Sequence, residues 1–178
     1  MNALVVGGSD RAEACARRLR EEGMTVVREP GGGRVDVLVT CPDMHFEGSI
    51  EATSEAVFRE LIETNLSSVF RIGRDCFNAM REQGGGSMIH VTSDAGIRAE
   101  HSLAAYSVAS AGVIALSELF AAEGAPYGIR SNAVCPGPGV DAASVVAWLA
   151  SDAAAHVSGA TLRVDDAAGA AMVLDTRS

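Results

Sequence analysis

Short runs of β-branched and aliphatic residues recur along this chain, each followed by a longer stretch in which apolar residues fall at helical spacing. This alternation constrains the fold more than any other feature. Strands separated by helices are joined by crossovers, and crossovers build a parallel sheet covered on both faces. The predicted strands are Ala3 to Val6, Met24 to Arg28, Val35 to Thr40, Ser87 to Thr92, Ile129 to Val134 and Thr161 to Val164. The predicted helices are Arg11 to Glu22, Ser54 to Glu82, Ala104 to Glu123 and Ala142 to Ser151, with Thr53 or Ser54 as cap of the longest. Gly31-Gly32-Gly33 and Gly84-Gly85-Gly86 read as turns. The expectation is an α/β three-layer sandwich, with a mainly parallel sheet of about six strands, formed by one domain over residues 1–178.

Composition agrees with one core of ordinary size: 48% of the residues are hydrophobic and only 4% aromatic, so small aliphatic side chains must fill the layers. Against 23 acidic residues stand 14 basic ones, giving a net charge of −9 that repels phosphate backbones and anionic membranes. Neither nucleic acid nor membrane is expected as a partner, and no apolar run is read as long enough to span a bilayer. The run Ala3-Leu4-Val5-Val6 leads straight into glycines and reads as a strand rather than a signal peptide. Cys15, Cys41, Cys76 and Cys135 lack the spacing of a metal site, so no metal is expected and a cytoplasmic location with reduced thiols is.

Several motifs carry a resemblance. Ala3-Leu4-Val5-Val6-Gly7-Gly8-Ser9 followed by Ala16-Arg17-Arg18-Leu19 is a strand, a glycine turn and a helix; further on come Glu63-Thr64-Asn65-Leu66, Val91-Thr92-Ser93-Asp94-Ala95-Gly96, Ala105-Tyr106-Ser107-Val108-Ala109-Ser110 and Asn132-Ala133-Val134-Cys135-Pro136-Gly137. Over almost the whole chain this resembles the short-chain dehydrogenase/reductase family, in a truncated and divergent form closest to ketoreductases of the 3-oxoacyl carrier-protein type. The resemblance implies a Rossmann-type fold, Ser93 hydrogen-bonded to a substrate carbonyl, Tyr106 as acid/base, and Asn65 holding a helix kink. It also implies that Gly7 and Gly8 are what remains of the cofactor turn.

The departures fall on the chemistry. The family has a lysine where this chain has Ser110, and the chain holds no lysine at all: its 14 basic residues are arginines. A phenol titrates near pH ~10 unless a cation favours its ionised form, so Tyr106 beside Ser110 is expected to stay a neutral phenol, able to donate a proton and poor as a base. The second and third glycines of the family turn fall on Arg11 and on Ala12 or Glu13, depending on the count, and Asp10 or Glu13 brings negative charge near a pyrophosphate. Only six residues separate Arg28 from Val35, where the family has a helix, a strand and a helix; Pro42 in Thr40-Cys41-Pro42-Asp43 changes the central cofactor wall, and the loop after Pro136-Gly137-Pro138 is too short to cover a substrate.

The expectation drawn from these losses is no cofactor, with NAD(P) as the alternative, and a non-catalytic accessory subunit assembled with an active short-chain reductase. A repurposed dehydratase, isomerase or cyclase using Ser93 and Tyr106 on a small carbonyl-bearing ligand is a second expectation, and an atypical NAD(P)-dependent carbonyl oxidoreductase a third. A homo-oligomer or a hetero-oligomer is expected, because the Ser54 to Glu82 helix, the helix carrying Tyr106 and the strand Thr161 to Val164 correspond to family interfaces. His90, Cys41, Asp43, Asp94 and His101 lie at or beyond strand ends or before Tyr106, where ligands of open α/β sheets bind. His90 reads as an interior residue, and Cys41 as a nucleophile only with a positive neighbour.

Overall fold

Strand β1 (Asn2–Val6) shows how the layers arise: Ala3 and Val5 point to one apolar cluster and Leu4 to another, as the two-residue period of a strand requires. The computed structural model describes residues 1–29 and 33–168; Gly31 and Gly32 of the first expected turn lie outside the described residues. After β1 come α1 (Asp10–Glu21), β2 (Thr25–Val27) and β3 (Val37–Thr40), then α2 (Glu55–Ile62), a single π turn (Glu63–Ser67) and α3 (Ser68–Gln83). They are followed by β4 (Gly86–Val91), α4 (Ala104–Gly124), β5 (Ile129–Pro136), α5 (Ala143–Ala150) and β6 (Thr161–Val164).

The six strands form one sheet in the order β2-β1-β3-β4-β5-β6, and every neighbouring pair is parallel. Helices α1 and α5 cover the face reached by Ala3, Val5, Val39 and Ile89. Helix α3 and Phe120 of α4 cover the other, where Leu4, Leu38 and Met88 are fully buried. The Rossmann-type sandwich read from the sequence is the observed fold. Its strand order runs outward from β1 to β2, returns past β1 to β3, and so places the topological switch between β1 and β3.

Local differences from the expectation have physical causes. Strand β2 keeps three residues because it pairs only with β1 at the sheet edge. The expected Ser54 to Glu82 helix is broken by the π turn around Asn65, although Ser54 does cap α2, its Oγ accepting from Val57 N at 3.3 Å. Gly84 ends α3 at φ 88°, a left-handed conformation that glycine adopts at little strain. By length and composition α4 with its following turn, Ala104–Tyr127, is apolar enough to match a membrane span, which corrects the expectation that no apolar run reaches that length. In this fold it is a helix of the sandwich, with Ala105, Ala109 and Val113 buried and Ser117 Oγ hydrogen-bonded to Ser131 Oγ of β5 at 3.1 Å.

Candidate functional site

At the C-terminal edge of the sheet β1 and β3 diverge, and the turn after β1 is built around that divergence. Gly7 sits at φ 145°, and a Cβ there would run into the carbonyl oxygen of Cys41; a Cβ on Gly8 would meet nothing. Gly7 is therefore required by packing between strand ends, while Gly8 faces open space. Ser9 caps α1, its Oγ accepting from Ala12 N at 3.3 Å, and the helix presents its remaining first N–H groups at this edge. Arg28 turns back from the end of β2 to donate to the carbonyls of Gly7 and Ala12, and Arg11 reaches across to Thr92 O at 3.4 Å. Glu13, the expected source of conflicting charge, stands 3.4 Å from Arg20 and 3.7 Å from Arg28.

These residues fit a pyrophosphate: a capped helix N-terminus, an unobstructed glycine and two guanidinium groups. The fit weakens toward an adenosine, because β2 is the sheet edge and no described strand flanks it.

The other side of the edge carries Ser93 and Tyr106, the residues expected from the sequence to bind and protonate a carbonyl. Ser93 follows β4, is 8% exposed, and has its Oγ 3.3 Å from Asp94 Oδ1 while accepting from Ala95 N at 3.2 Å. It is thus committed to its own turn and not hydrogen-bonded to Tyr106, which lies half-buried in the first turn of α4. Ser110, one turn on, is buried against Gly96: a Cβ on that glycine would lie 2.8 Å from Ser110 Cβ. Asn65, in the π turn, holds the loop after β3 by two bonds, donating Nδ2–H to Met44 O at 2.6 Å and accepting from Met44 N at 3.1 Å. The ring packed on Tyr106 is His45, which sequence reasoning missed: the centroids are 5.0 Å apart and the planes meet at 64°. No spacing marks His45, whose place depends on the path of the loop after Pro42.

The remaining candidates separate. His90 is fully buried in β4, bonded through Nδ1 to Thr40 Oγ1 at 2.9 Å and stacked on Phe120, and burial pulls it from 6.5 to about 4. It is a neutral interior residue. Cys41 is held well above the usual thiol range first by its hydrogen bond with Cys15 and then by burial, which outweigh the pull of Arg11 and Arg28. His101 is exposed and bonds Ser102 Oγ at 2.8 Å, and Asp43 is exposed beside the β1–β3 switch. Asn132 ties β5 to the approach to β6, donating to Val157 O at 2.9 Å and accepting from Ala160 N at 3.0 Å.

Residues 24–148 match the sequence model of the short chain dehydrogenase family. An acetoacetyl-CoA reductase of Acinetobacter is 34% identical over 105 residues, which cover 59% of this chain and 42% of that protein. The 3-oxoacyl-[acyl-carrier-protein] reductase FabG of Escherichia coli is 32% identical over 161 residues, covering 75% and 66%. This chain spans less than two thirds of the length of either relative. A crystal structure from Burkholderia xenovorans, titled as that of a short-chain dehydrogenase/reductase, superposes with a TM-score of 0.88 at 26% identity over 95% of this chain and 96% of that one. The chain belongs to the short-chain dehydrogenase family. These relatives overturn the expectation of no cofactor: they are a dehydrogenase family and two reductases, and hydride chemistry on a carbonyl is performed by a bound carrier rather than by side chains, which favours NAD(P) over none.

Proposed function

We propose that this member of the short-chain dehydrogenase family is an NAD(P)-dependent reductase of a 3-oxoacyl thioester. The observation that carries the reading is the bond from Arg11 to Thr92 O: one side chain links the anion-binding end of α1 to the strand end that bears Ser93. Phosphate contacts and carbonyl chemistry therefore share one edge of the sheet. The α1 N-terminus, Gly8 and Arg11 would hold the pyrophosphate, on a turn that Arg28 shapes by donating to the carbonyls of Gly7 and Ala12. A reduced nicotinamide bound there would supply the hydride. Tyr106 gives its phenolic proton to the carbonyl oxygen, and the Ser93 hydroxyl, leaving Asp94, donates a hydrogen bond to the same oxygen. Support for the substrate class comes from the names of the two reductases similar to this chain.

The test is a fluorescence titration with NADPH and NADH, followed by steady-state oxidation of NADPH in the presence of acetoacetyl-CoA. Saturable binding and thioester-dependent turnover are expected. Absence of binding at millimolar nucleotide overturns the reading.

Assembly is a second element of the proposal. Phe58, Phe70, Val108 and Leu119 are each more than a third exposed along α2, α3 and α4, and Phe70 and Leu119 border a groove of about 550 Å³. Such a surface fits another copy of the chain or a second reductase subunit, for which this chain would then be the accessory. Phe70→Glu is expected to lower the mass observed by light scattering; an unchanged mass removes the α3 face from the interface.

A further inference from the structure

Tyr106 has no lysine near it, yet a proton donor that becomes an anion needs a positive partner in a partly dry site. Among the described residues one ring packs against it. His45 packs edge-on to Tyr106 with centroids 5.0 Å apart and planes at 64°, close enough for a charge on the one ring to act on the other. His45 is exposed in the loop after β3.

Its position is fixed from both sides. Met44, the preceding residue, is clamped through both backbone polar groups by the buried Asn65 of the π turn. Three residues on, Gly48 donates to Ser102 O at 2.6 Å and forms a parallel bridge with Leu103. Leu103 is the residue before α4, three positions ahead of Tyr106. The loop bearing one ring is thus stitched to the helix start bearing the other. An incidental surface histidine needs neither pin.

We propose that His45 is the positioning residue of Tyr106: its imidazolium stands in for the missing lysine charge and stabilises the phenolate left when the phenol gives up its proton. In that step the Tyr106 O–H bond breaks, an O–H bond forms on the substrate carbonyl oxygen, and the electron pair stays on the phenol oxygen until water returns a proton. Asn65 acts one link further out, by holding Met44 and hence His45. This inference rests on the reductase reading above.

The test compares the parent chain with His45→Phe, which keeps a ring against Tyr106 without charge, and His45→Arg, which keeps a cation without the imidazole. Acetoacetyl-CoA and NADPH are the probes. His45→Phe is expected to lower kcat roughly 10- to 100-fold while changing either KM less than about threefold, and His45→Arg to recover most of the loss. Full activity in His45→Phe overturns the inference, since it would mean that the ring serves packing alone, and so does equal impairment of both variants, which would mean that a positive charge at position 45 is not what Tyr106 needs. If His45→Phe loses its cooperative thermal transition, His45→Gln takes its place with the same expected loss of kcat, and full activity of His45→Gln overturns the inference. A parent that binds NADPH but turns over no thioester overturns the reductase reading and this inference with it; an active parent indifferent to position 45 overturns this inference alone.

Discussion

The two halves of the sheet's C-terminal edge are held by different kinds of contact. On the β4–α4 side Ser93, Tyr106 and Asn65 are the residue types that the sequence resemblance assigns to the chemistry, without the lysine charge it also implies. On the β1–β2 side few of those residues remain, yet Arg11, Arg28 and the Ser9 cap converge on the same helix N-terminus. Anion binding needs only N–H groups and positive charge, which many sequences provide; proton transfer needs one phenol in one place. The nucleotide half can therefore be rebuilt from different residues, whereas the donor half can only be kept or lost.

The harshest way to break that comparison is Tyr106→Phe. A fall of roughly 100- to 10,000-fold in kcat is expected, with NADPH affinity unchanged, since the hydroxyl is removed from one half only. Retained turnover would mean that the donor half is a relic. Next comes Gly7→Ala. The new methyl meets the Cys41 carbonyl at a φ of 145°, so about 3 kcal/mol or more of stability should be lost in urea unfolding, with nucleotide affinity falling only as the fold does. Loss of affinity without loss of stability would assign Gly7 to the nucleotide.

His90 tests how dry the core beneath the donor half is. Burial depresses its folded pKa to about 4 from 6.5, so below pH 6.5 the unfolded chain binds a proton that the native state refuses until about pH 4. The stability from keeping this imidazole neutral is fully present above pH 6.5 and is lost as pH falls toward 4, by on the order of 3 kcal/mol in total. Other acids titrate in the same range, so the quantity to measure is the difference in urea-unfolding free energy between the parent and His90→Gln at successive pH values. A difference that stays constant from pH 7 to 4.5 would show that the imidazole is hydrated.

How much of this was legible follows from what each feature depends on. Strand β3 lies within its expected run, and β1, β4 and β5 match theirs to within two residues at either end, because parallel strands buried on both faces need apolar runs. Ser93, Tyr106 and Asn65 were legible as motifs. The π turn was legible only as the kink that the resemblance places at Asn65: Glu63 to Ser67 continues the helical pattern, and the break is held by Asn65 reaching Met44, 21 residues away. His45 was missed for the same reason, while His90 and His101 stood beside recognisable strand and helix signals. The rebuilt anion site was hidden because an arginine after a strand looks solvated until the chain turns it back onto Gly7 and Ala12.

Arg28 offers the smallest and most discriminating effect. At the end of β2 it could bear on the nucleotide in two ways, by contact with a phosphate on the adenosine ribose or by shaping the turn that receives the pyrophosphate. Its guanidinium is already committed to two carbonyls of that turn, with Glu13 3.7 Å away. Removing it should loosen the turn for every nucleotide alike, so Arg28→Ala is expected to weaken NADPH and NADH by about the same factor, roughly fivefold to tenfold by titration. A loss confined to NADPH would place the ribose phosphate on Arg28 and leave Arg11 as the guanidinium at the pyrophosphate. In that case the nucleotide half would retain a specificity residue as well as a charge, and the contrast between the two halves would narrow to the single lysine.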